Sequence, residues 1–131
     1  MLRSSEFVYG LKTLKYESER YKIVNGNRTM HNTSRICHAC LRNFVPFVVE
    51  NPKSSMLWIT NEMLALKKRR HCRFFQSDFC MWGMPWRKQT GFLSGFSNPS
   101  GAERVCQNGI CKRTGCRHIV LAGVDPVSKC F

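Results

Sequence analysis

Apolar residues recur at helical spacing through Met30, Cys37, Cys40, Leu41 and Phe44, while Arg28, Arg35 and Arg42 fall largely on the other side. This pattern predicts a helix to about Asn43, with Asn25-Gly-Asn27 as the turn before it and Asn27 as its cap. Before that turn there is no clean periodicity: Phe7, Val8, Tyr9 and Leu11 make a short apolar anchor, and residues 12–22 are charged. Phe47-Val-Val is too short for a helix and rich in strand formers, so it reads as a buried strand. Glu50 and Asn51 then fall at its carboxyl end, and Pro52 stops it by removing a backbone donor. Ser54 or Ser55 caps a second helix carrying Met56, Ile59, Met63 and Leu66 on one face.

Residues 72–79 read as a strand returning to the sheet, and a right-handed crossover would make it parallel to the first. Gly83-Met-Pro85 breaks the pattern and Lys88 to Leu93 reads as a further short strand, so residues 74–94 form an antiparallel, hairpin-like excursion. A Gly, Ser, Asn and Pro-rich loop follows from Ser94 to Gly101. The expected fold class is α/β: two helices and a small, mostly parallel sheet, extended by that hairpin and an irregular Cys-rich tail. At 131 residues the chain suits one domain, divided into an irregular segment (1–27), an α/β core (28–94) and the tail (95–131).

Charge narrows the partner. Lysine and arginine number 21 against 8 acids, a net charge of +13, which makes an anionic partner, nucleic acid first, the leading inference. Lys67, Lys68, Arg69, Arg70 and His71 form a basic helix end that suits the helix dipole or contacts phosphate. No apolar signal segment follows Met1-Leu-Arg and no run reaches membrane-spanning length, so an intracellular, reducing compartment is expected. There the 8 cysteines would be free or metal-bound rather than paired. Cys106, Cys111, Cys116 and His118 supply four soft or borderline ligands within the tail, a candidate zinc site of unusual spacing. Cys37-His-Ala-Cys40 has metal-like spacing, but its helical placement favours ordinary burial. Trp58, Trp82 and Trp86 could stack bases, although such side chains more often fill a core.

Two stretches resemble a known family. Phe47-Val-Val-Glu-Asn-Pro52 resembles the Glu-Asn-Val element of DNA cytosine-5 methyltransferases, and residues 78–90, Asp-Phe-Cys-Met-Trp-Gly-Met-Pro-Trp-Arg-Lys-Gln-Thr, resemble the family's later Tyr-Gly-x-Pro-Gln-x-Arg-x-Arg element. The resemblance implies a partial Rossmann-like, S-adenosylmethionine-dependent fold. Glu50 would hold and protonate the ring nitrogen of a flipped cytosine, Asn51 would accompany it, and Arg87 and Lys88 would contact the acid or DNA phosphates. The family's Pro-Cys nucleophile and glycine-rich cofactor motif are absent from residues 1–49. The expectation is therefore the C-terminal half of such a domain, of viral or mobile-element type, needing a missing N-terminal half or a complementing subunit and inactive alone. The alternative is a basic, non-enzymatic nucleic-acid-binding protein stabilised by zinc.

Overall fold

The computed structural model describes residues 2–12, 14, 16–96 and 99–120. The chain runs through α1 (Glu17–Arg42), β1 (Phe47–Pro52), a 3₁₀ turn (Met56–Ile59), α2 (Asn61–Lys67), β2 (Cys72–Asp78), a second 3₁₀ turn (Phe79–Trp82) and β3 (Gln89–Gly95). Mixed helix and strand content is as expected, with two α-helices. Residues 121–131, including part of the apolar run that begins at Ile119, lie outside the described residues. Among those described, no helix is long and apolar enough to cross a membrane.

The first helix begins well before the expected cap at Asn27, and Asn25-Gly-Asn27 lies inside it. Tertiary contacts override the local turn chemistry there. Arg3 reaches across the helix to donate to the carbonyls of Val8 (3.0 Å) and Ile23 (3.3 Å). A Cβ at position 26 would lie 2.6 Å from an Arg3 nitrogen, so glycine admits this close approach. Asn27 donates to the Tyr9 carbonyl at 2.9 Å instead of capping. Glu17 and Glu19 in the first turn favour the new start through the helix dipole. Residues 2–12 are therefore packed along α1, and Tyr9 donates to Glu62 at 2.7 Å, tying them to α2.

The sheet is antiparallel throughout, in the order β1-β3-β2, which corrects the expected mostly parallel arrangement. Since β1 and β2 each run opposite to β3, they share a direction and are joined through α2, as the crossover reading required. They are not neighbours, however, because β3 occupies the slot between them. The short connection over residues 79–88, with Gly83 at φ 109°, is of hairpin and not crossover length, so β3 returns directly alongside β2. The result is a split βαβ unit. Glu50 and Asn51 fall at the carboxyl end of β1, as expected, but β1 is an edge strand with Val48 exposed and not the buried strand that Phe47-Val-Val suggested, because only one of its faces meets the core.

Packing explains the register. β3 is central and presents Leu93, fully buried, to a core of Cys37, Trp58, Met63 and Leu66. Ile59, expected inside, is exposed, because the 3₁₀ turn capped by Ser55 rotates Trp58 inward. The Trp58 indole donates to the Pro52 carbonyl at 2.8 Å, which satisfies its one polar atom. Thr60 then caps α2 by accepting from the Met63 amide.

Candidate metal centre

β2 ends at Asp78, a fully buried carboxylate. Burial of a charge requires partners, and Asp78 has several. Its Oδ2 accepts from Arg87 Nε at 2.8 Å and from the Cys106 amide at 2.8 Å, while Oδ1 accepts from Gln76. Arg87 also donates to the Cys106 carbonyl at 2.7 Å and to the Asn108 side chain. The tail is thus pinned to the connection between β2 and β3 at Cys106. The Asp78 amide bonds the Arg104 carbonyl at 2.8 Å, and the Ile119 amide the Pro85 carbonyl at 3.0 Å, so residues 104–119 are fastened at both ends.

This fastening gathers four side chains. The sulfurs of Cys80, Cys106 and Cys111 and a ring nitrogen of His118 all lie within 4.8 Å of one another, a group that could hold a metal ion. Cys106 Sγ and His118 Nε2 are 3.6 Å apart. The Lys112 amide points at Cys106 Sγ at 3.2 Å, a contact that stabilises sulfur carrying negative charge. Burial opposes ionisation at Cys111, but the amides of Thr114 and Arg113, the Thr114 hydroxyl and His118 outweigh it and bring its thiol down to about 6. Burial, reinforced by the neighbouring Cys106 and Cys111, pushes Cys80 up to about 12. Three crowded sulfurs resist joint ionisation in the absence of a cation, and a bound divalent ion would remove that conflict.

Three of the four tail residues read as ligands are together here, and Cys116 is not. It is exposed, its thiol directed at the Thr114 carbonyl (3.6 Å), while its own carbonyl accepts from the Cys111 amide at 2.8 Å. That backbone bond closes a tight loop and turns the Cys116 side chain away from the cluster. Cys80 takes the fourth position. Its only sequence signal was a cysteine just past a strand end, because the remaining ligands lie a long loop away. Cys37 is buried in the main core, and burial followed by Cys40 and Cys72 raises it to about 11, as expected of a packing residue.

The other site residues separate into distinct places. Glu50 is exposed on β1, with Lys88 Nζ at 3.6 Å, and Asn51 is half-buried opposite Gly91. Arg87, expected beside the acid, is committed to Asp78 and the tail. Lys67 turns inward, donating to the Trp58 carbonyl at 2.9 Å over the Phe74 ring, and burial lowers its pKa. Lys68, Arg69 and Arg70 remain in solvent. Trp58 is core, Trp82 carries Arg104 on its ring at 4.2 Å, and Trp86 bridges to Ile119.

The described residues do not fit S-adenosylmethionine: among them no strand precedes β1, and no glycine turn leads from a strand into a helix N-terminus. Comparison with protein-family models, curated proteins and solved structures found no match.

Proposed function

We propose that this chain is a zinc-stabilised, basic nucleic-acid-binding module. The observation that carries the reading is the convergence of Cys80, Cys106, Cys111 and His118. A tetrahedral zinc ion, with bonds of about 2.3 Å to sulfur and about 2.0–2.1 Å to nitrogen, needs ligand pairs about 3.5–3.8 Å apart. The 3.6 Å separation of Cys106 and His118 meets that requirement, and the other pairs lie within 4.8 Å of one another. Four protein ligands leave no open position, so the ion is structural. The described part of the tail, residues 99–120, has little apolar core of its own beyond the cysteines themselves, and the metal supplies the cross-link that such a segment lacks. The net charge of +13 makes nucleic acid the favoured partner.

Purified protein should carry one zinc per chain, and its DNA affinity should fall steeply with salt. A chain that takes up no zinc, or whose tail is equally protease-resistant with and without chelator, removes the metal half of the proposal. Absence of DNA binding at low salt removes the other half.

A second reading, descent from the base-recognition half of a cytosine-5 methyltransferase-like sheet, is favoured by one specific observation. The two stretches that carry the resemblance lie side by side: Pro52 pairs with Thr90, and Lys88 reaches Glu50. The shared direction of β1 and β2 around an α-helical connection also suits a Rossmann-like ancestor. Methyl transfer from labelled S-adenosylmethionine to DNA, with Glu50→Gln as the control, tests it. The chain alone should transfer nothing, and complementation by a subunit bearing the nucleophile and cofactor motifs should restore Glu50-dependent transfer.

A further inference from the structure

At the end of β3 remote from the metal cluster, the backbone does something costly. Among the described residues, two that are not glycine have positive φ, and both are phenylalanine: Phe44 at 56° and Phe96 at 57°. Phe44 follows the end of α1, where the Val45 amide bonds the Cys40 carbonyl at 2.9 Å. That is the closure in which glycine usually occupies the left-handed position. A phenylalanine there is strained, and the residue is 78% exposed, so folding gains little from it.

The two strained residues meet. The rings of Phe44 and Phe96 are 5.8 Å apart, and Phe96 stacks on His71 at 4.8 Å and 25°. The Phe96 amide bonds the His71 carbonyl at 2.9 Å, holding the pair in place. Arg42, Lys68, Arg69 and Arg70 line the same groove, and no described carboxylate does.

We infer that this groove binds single-stranded nucleic acid, with an unpaired base on Phe44 and flanking phosphates on Arg42, Lys68, Arg69 and Arg70. The inference rests on the nucleic-acid-binding reading above and adds to it a location and a strand preference. Aromatic faces ringed by cations suit unpaired bases, since every base offers a π face and paired bases hide theirs. An anionic membrane would use the charge but leave the ordered ring stack without a role.

The test measures binding of a labelled oligothymidine and of a hairpin duplex to the zinc-loaded full chain across a salt series, with an oligouridine arm to separate DNA from RNA. Wild type should prefer the single strand. Phe44→Gly removes the ring and suits the backbone, so the variant should melt no lower than wild type yet bind the single strand roughly 5- to 150-fold more weakly. Arg69→Gln with Arg70→Gln should reduce the salt slope for the single strand by about 1.4. Arg35→Gln, on α1 and outside the groove, should leave the preference for the single strand intact. Failure of wild type to bind any nucleic acid would sink the parent reading together with this one. Binding that survives Phe44→Gly unchanged, or a duplex preference, would overturn the site alone. Phe44-dependent binding to phosphatidylserine vesicles without single-strand binding would also overturn it.

Discussion

One buried oxygen of Asp78 serves two masters: Oδ2 accepts Arg87 Nε at 2.8 Å and the amide of the metal-ligand candidate Cys106 at 2.8 Å. The geometry of the metal centre therefore depends on an ion pair that touches no ligand sulfur. Asp78 is fully buried and Arg87 nearly so. Removing one partner leaves the other charge uncompensated, at a cost of about 3–5 kcal/mol. Arg87→Met should lower stability by that order in chemical denaturation. It should also weaken zinc binding about 10- to 100-fold, as loss of an outer-shell partner does. An unchanged zinc affinity would show that the pair serves only the fold.

The exchange of Cys80 for Cys116 gives a direct contrast. Cys80→Ser should abolish retention of zinc against a chromophoric chelator, whereas Cys116→Ser should leave stoichiometry and affinity within about twofold, because that thiol faces solvent. The reverse result would restore the ligand set read from the tail spacing.

Thiol ionisation should be pH-separated in the metal-free protein. Cys111 is lowered from 9.0 to about 6 and Cys37 raised to about 11. The sign follows from linkage: stabilisation by the Cys111 thiolate is fully present above its unfolded pKa and is lost as pH falls through about 6. Burial of neutral Cys37 acts oppositely, its benefit being lost as pH rises from 9.0 through about 11. Ultraviolet thiolate absorbance should therefore show a step near pH 6 that Cys111→Ser removes, with Cys37→Ser affecting only the alkaline end. Loss of the low-pH step in Cys116→Ser instead would contradict this assignment.

Gly95 sits directly against the Phe47 ring. A Cβ there would clash with the Phe47 ring, across the pairing of β3 with β1. Gly95→Ala should destabilise by about 1–3 kcal/mol, since the ring must move within a packed layer. Adding Phe47→Leu should recover part of the loss, so the two substitutions should be non-additive in a thermal unfolding cycle.

Much of the local structure was legible in the sequence. The strand formers at Phe47-Val-Val, the buried positions Met63 and Leu66, and the return strand from Cys72 follow from patterns within a few residues of one another. The start of α1 was not, because it depends on Arg3 folding over Gly26, a contact whose local signal points to a turn. Ile59 and Trp58 exchanged places for a related reason: a 3₁₀ turn changes which side chain points inward without changing composition.

By itself the sequence determined the charge, the supply of soft ligands in the tail, and the strand, helix, strand succession around Glu50. Tertiary structure decided the partners. β3 entered between β1 and β2 because a short connection turns back on itself, and the sheet became antiparallel. Cys80 joined the tail ligands because Asp78 and Arg87 hold Cys106 against the end of β2. Ligand spacing reports what a short segment can enclose, whereas the closure of a long loop is set by the buried charge pair at its base.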